Sequence, residues 1–190
     1  MTALAAFLPD LVTRRLLSSG ESDAVRAAIG RGFADEVRCI LPELAHCSTD
    51  VIEVDPFVDL LGHIDAGPLT SSVRSALVSE THATISDDIQ CSASAVATCT
   101  SLGAPDPDAF ESLNSLAAAL PQLVSAALLT SAESTTLRAS IGDTYAAEIR
   151  CGRGKTECGG DFDTDPFVAL NEHVDDGPFT AGTKSALHGE

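Results

Sequence analysis

A stretch of 23 residues occurs twice in this chain. Asp55 to Leu77 reads DPFVDLLGHIDAGPLTSSVRSAL and Asp165 to Leu187 reads DPFVALNEHVDDGPFTAGTKSAL, with 13 of 23 positions identical and no gap. A second match pairs Leu8 to Cys39 with Leu120 to Cys151, at 17 of 32 identities. The two offsets are 112 and 110 residues, so one long unit has been copied almost without insertion. Internal repetition of this kind constrains the fold more than any composition, because each copy has to build the same local structure.

A finer repeat lies inside the long one. Val25-Arg26-Ala27-Ala28-Ile29, Val73-Arg74-Ser75-Ala76-Leu77, Leu137-Arg138-Ala139-Ser140-Ile141 and Thr183-Lys184-Ser185-Ala186-Leu187 share one motif. The first three each run on to an acidic, apolar stretch ending in cysteine: DEVRC, DDIQC and AEIRC. The chain therefore divides into four related units in the order A, B, A, B, over residues 1–54, 55–104, 105–164 and 165–190, the last cut short.

Each unit is expected to be a helical hairpin, giving an all-α fold of tandem repeats. Val25, Ile29, Phe33 and Val37 recur every fourth residue, as do Leu137, Ile141, Tyr145 and Ile149. Val73, Leu77, Thr81, Ile85 and Ile89 continue the pattern in the second unit, and this spacing puts one apolar stripe on a helix. Leu8, Leu11, Val12 and Leu16 predict a further stripe, with Pro9 in its first turn. Gly20 is expected to end that helix and Ser22 to cap the next. Asp55-Pro56 and Asp165-Pro166 read as helix starts, and Gly67-Pro68 and Gly177-Pro178 as the turns between hairpin helices.

The six cysteines fall into local pairs: Cys39 with Cys47, Cys91 with Cys99 and Cys151 with Cys158. Intervening sequences are unrelated while the cysteines persist, which predicts three short disulfide loops and an oxidising compartment, extracellular or a secretory or periplasmic lumen. Zinc on Cys39, His46 and Cys47 is the rival reading, but paired C-x-x-C spacing is missing.

His63 and His173 hold matching positions in His-Ile-Asp and His-Val-Asp, as ligand or metal candidates. A ring in the last helical turn also suits the helix dipole. Asp161, Asp163 and Asp165 resemble the first positions of a calcium loop, yet Pro166 stands where such a loop needs glycine.

The sequence has no nucleophile elbow and no phosphate loop, and no cofactor is expected. With 28 acidic and 11 basic residues, net −17, the chain repels phosphate backbones, which argues against nucleic acid. No apolar run reaches the roughly 18–20 residues needed to insert across a bilayer. The expectation is therefore a non-enzymatic structural protein, a stapled helical-repeat subunit of an extracellular filament or surface layer. Its partner would be itself, head to tail: unit four breaks off early and neither end shows a polar cap, so the chain is either part of a longer array or completed by its neighbours. The alternative is a carrier of a lipid or pigment in a helical pocket, with the two histidines as contacts.

Overall fold

A computed structural model describes residues 2–47, 54–96, 107–155 and 165–189. Among these residues the structure is helical throughout, with no strand. In order, the elements are α1 (Thr2–Ala6), α2 (Leu8–Thr13), α3 (Ser19–Leu44), α4 (Asp55–Ala66), α5 (Ser71–Val96), α6 (Pro107–Ser125), α7 (Ser131–Lys155), α8 (Asp165–Asp176) and α9 (Ala181–Gly189). Chain contacts separate two compact units. Unit 1 holds Met1–His46 and Glu53–Ile85; unit 2 holds Cys47–Ile52 and Ser86–Glu190.

Helix α3 starts four residues earlier than Ser22 would suggest. The chain leaves α2 through Arg15, at φ 57°, and the backbone N–H groups of Arg15 and Leu16 donate to the carbonyls of Val12 and Leu11. This pair of hydrogen bonds closes a helix end around a left-handed residue. Ser18 then caps α3: its hydroxyl accepts from the Glu21 N–H, and the Glu21 carboxylate accepts from the Ser18 N–H. Gly20 therefore lies inside the first turn of α3, and Ser22 is not the cap. The later copy repeats the arrangement with Ala127 at φ 56° and Thr130 and Glu133 as the capping pair. Glycine is absent from both left-handed positions, so nothing in the sequence marked this turn.

The apolar stripes pack as their spacing requires. In unit 1, Val37, Leu41, Leu60, Ile64 and Leu77 form one buried cluster, with Phe33, Leu69 and Val73 against it. A smaller cluster joins Ala5, Leu8 and Ile29. In unit 2, α7 packs on α6 and α8, and Leu137, Ile141, Tyr145 and Ile149 are all buried. The stripe Leu77, Thr81, Ile85 and Ile89 is buried along α5. Two stripe positions depart from expectation: Leu16 and Val25 are exposed.

The Asp55-Pro56 start is real, but Asp55 does not cap. Val54 holds the cap position without a side-chain bond, and Asp55 is an acidic residue in the first turn of α4, where it suits the dipole. Asp165 likewise opens α8, with Pro166 next. At the far end Gly67 takes φ −70° and ψ 155°, ordinary extended backbone. Gly67-Pro68 and Gly177-Pro178 do lie between the hairpin helices. However, the following helix begins beyond Pro68, where the Thr70 hydroxyl accepts from the Val73 N–H, and Thr180 does the same for Thr183.

The cysteine pairing differs from the local one. Cys47 is bonded to Cys91, with Cα atoms 5.2 Å apart, and Cys39 is a free, exposed thiol. Helix α3 does not stop at Cys39; it carries the chain roughly 7–8 Å further before Ala45 turns extended. That leaves Cys47 beyond the Cα range of about 4.4–6.8 Å that a bridge to Cys39 needs. Cys91 sits in the interior of α5, and the Cys47 N–H donates to Asp88 one turn before it at 2.7 Å, seating the two sulfurs together. With Cys91 engaged, the expected bridge to Cys99 does not form. Cys151, within α7, is also disulfide-bonded; Cys99 and Cys158 lie outside the described residues.

Candidate functional site

Matching positions in the two long copies have unlike surroundings, and these differences mark the candidate surfaces. His63, near the end of α4, is exposed. His173, its counterpart on α8, is half-buried and its ring stacks on Phe110, with centroids 4.2 Å apart and planes at 21°. Burial pushes the imidazole below its usual value, against the opposing pull of Asp176 and Glu172. Phe110 comes from α6, and His63 has no ring stacking of this kind among the described residues. His63 and His173 belong to different units.

Phe110 opens an aromatic cluster in unit 2. Its ring lies 4.8 Å from that of Tyr145, and Phe179 meets the same tyrosine edge-on at 5.2 Å. Tyr145 is fully buried, and its hydroxyl makes no hydrogen bond; the Asn114 side chain faces it without closing one. Loss of solvation pushes this phenol up to about 12, with Asn114 pulling down and Asp176 pushing up. A buried hydroxyl without a partner costs about 1–3 kcal/mol. Unit 1 has Phe33 at the matching position. Tyr145→Phe is therefore expected to leave stability unchanged or raise it by about 1 kcal/mol in chemical denaturation. A loss of similar size would mean that the hydroxyl is bound after all.

Among the described residues, no three His, Cys, Asp or Glu side chains gather in a way that could hold an ion. The zinc reading of Cys39, His46 and Cys47 fails because the Cys47 sulfur is committed to Cys91. Asp161 and Asp163 lie outside the described residues; of the calcium-like trio only Asp165 is placed, at the start of α8.

Two features of unit 1 were not legible as sites. The first is an exposed apolar face. Leu4 is 59% exposed where its counterpart Leu116 is 2%, and Leu16 is 68% where Leu128 is 0%. Val25 is 38% exposed where Leu137 is 2%, and Phe7 stands out at 65% where Ala119 is buried. The same positions are thus buried in the second copy and exposed in the first. Periodicity assigns a residue to a face but not the element that covers it, so this contrast needed tertiary structure.

The second is a groove of about 670 Å³ between α3 and the α4–α5 turn. Its floor is Ala27, Gly30 and Ala34, and Arg26, Arg31 and Arg38 line it. Arg38 is held by Glu80 in a two-pronged pair at 2.9 and 3.0 Å, with Asp35 at 3.8 Å. That arrangement raises the guanidinium above its ordinary value.

No helix among the described residues is long and apolar enough to cross a membrane. Compared with models of protein families, with curated proteins and with solved structures, the chain matches none.

Proposed function

We propose that the chain is an assembly protein: a repeat of helical hairpins, A-B-A-B, that stacks head to tail into an extracellular filament or surface layer. One observation carries the reading, the apolar face of unit 1 whose counterpart in unit 2 is buried. The occupant of the bare face is the α8–α9 end of unit 2 in a second copy. The argument is the repeat itself. Unit 2 includes the second half of α5, Ser86–Val96, with Ile89, Ala93 and Val96 buried, so a B-type segment belongs with an A-type core. A head-to-tail neighbour would set a B-type end, α8–α9, against the A-type core of unit 1. Such contacts are heterologous and do not close on themselves, which favours filaments over dimers. Leu4, Phe7, Leu16 and Val25 would each contribute on the order of 1 kcal/mol from the surface still exposed.

The Cys47–Cys91 bond suits an oxidising compartment. The net charge of −17 opposes assembly at low ionic strength, and a Debye length of about 8 Å in physiological salt relieves most of that repulsion.

Light scattering and electron microscopy test the reading. The native chain is expected to form filaments at physiological salt and to dissociate as salt is removed. The double variant Phe7→Ser/Leu16→Ser, which changes only exposed positions, is expected to stay monomeric while keeping its helical spectrum. A monodisperse monomer, or a closed dimer, at every salt and protein concentration would sink the proposal.

A further inference from the structure

Beside Gly30 the groove of unit 1 is open where unit 2 sets a ring beside Gly142, and the hairpin residue that differs there is Leu69 against Phe179. In unit 2 the Phe179 ring closes over the matching ground: it stands 3.7 Å from where a methyl on Gly142 would lie and presses on Gly177. In unit 1 the residue at that position is Leu69, and the backbone carbonyl of Pro68 approaches Gly30 instead, 2.9 Å from where a methyl would stand. A smaller side chain on the same hairpin leaves an apolar floor open where the other copy places a ring.

Charge at the rim differs as well. Arg138, the counterpart of Arg26, spends its guanidinium on the Ala117 carbonyl at 3.1 Å, and Asp143 stands in place of Arg31. In unit 1 both positions are arginine. Both are exposed, and neither makes an ion pair or hydrogen bond among the described residues. Of the two lining carboxylates, Asp35 is paired with Arg38, which leaves Asp23 as the opposing charge. Three of the eleven basic residues of a chain with net charge −17 thus line one groove, two of them unengaged. Its volume lies within the roughly 300–1,000 Å³ of small-molecule sites.

We propose that this groove binds an anionic amphiphile, its apolar body on Ala27, Gly30, Ala34 and Leu69 and its acid group at the Arg26 and Arg31 rim. The apolar body occupies the ground beside Gly30 whose counterpart beside Gly142 the Phe179 ring covers in unit 2. The acid group gains charge-assisted hydrogen bonds from guanidinium groups that otherwise face only water. The groove residues are not among Leu4, Phe7, Leu16 and Val25 of the bare face, so its binding is tested apart from self-assembly.

Calorimetric titration of the full chain with dodecanoate, and separately with dodecyl phosphate, tests the proposal and separates a free carboxylate from a lipid-type headgroup. One equivalent of at least one of them is expected to bind. Leu69→Phe, which places the unit 2 ring in unit 1, is expected to abolish the binding. Arg26→Gln/Arg31→Gln is expected to weaken it about tenfold or more. The second variant changes only exposed side chains, so it carries the test if the first fails to fold. The proposal is overturned if neither ligand binds, or if the affinity survives the loss of both arginines.

Discussion

Cys47→Ser/Cys91→Ser is expected to lower the unfolding free energy by about 4 kcal/mol, the value for removing a crosslink across 44 residues. The double substitution is preferred to a single one, since a lone thiol at either position could exchange with the exposed Cys39. Loss of the Cys47 N–H bond to the buried Asp88 would add to the effect. The loop that the bond closes contains α4 and most of α5, so its entropy far exceeds that of the nine-residue loops which the cysteine spacing suggests. A local bridge closing so short a loop would contribute about 2–3 kcal/mol. Denaturant titration of native and substituted protein measures the difference. Non-reducing peptide mapping with alkylation is expected to link the Cys47 and Cys91 peptides and to label Cys39. A peptide joining Cys39 to Cys47 would refute the pairing.

The second large effect concerns Gly67 and Gly177. Either glycine replaced by alanine is expected to cost about 1–2 kcal/mol. Backbone conformation is not the cause: Gly67 has φ −70°, which alanine adopts freely, and neither glycine has positive φ. On conformation alone, Gly→Ala would stabilise by roughly 0.4–1 kcal/mol through the unfolded chain. The opposing term is space. A methyl on Gly67 would stand 2.8 Å from Cε1 of Phe33 and 3.1 Å from the His63 carbonyl. On Gly177 it would meet Cδ2 of Phe179 at 2.7 Å and the His173 carbonyl at 3.0 Å. Overpacking of this kind costs about 1–3 kcal/mol, so it outweighs the entropic gain. The paired changes Gly67→Ala/Phe33→Leu and Gly177→Ala/Phe179→Leu separate the two causes in a double-mutant cycle. If space decides, the cost of the alanine largely disappears in each leucine background. An alanine cost that is the same with and without the ring would show that the glycines are needed for another reason.

How far the sequence reached depends on the range of the interaction concerned. The helical stripes were legible because spacing along one helix is a local property: Leu77, Thr81, Ile85 and Ile89 recur every fourth residue and all are buried. Helix starts at Asp55 and Asp165 were legible for the same reason, since proline in a first turn acts on its own backbone. The turn after α2 was not, because Arg15 and Ala127 take a left-handed conformation that sequence associates with glycine. Gly67 was placed correctly as a helix terminator but for an insufficient reason. Its role comes from the Phe33 ring, which is distant in sequence. At the candidate site, the matching histidines suggested a shared role, yet only His173 finds an aromatic partner, and that partner lies on another helix.

The sequence by itself determined an acidic, all-helical chain built from a copied unit, because charge, period and internal identity are carried residue by residue. Tertiary structure alone decided that Cys47 bonds Cys91 while Cys39 stays free. It alone decided that Leu16 is bare where Leu128 is buried, and that Leu69 leaves open the ground Phe179 covers. Each of these depends on how far a helix runs and what packs across it, and two copies of one sequence unit differ in both.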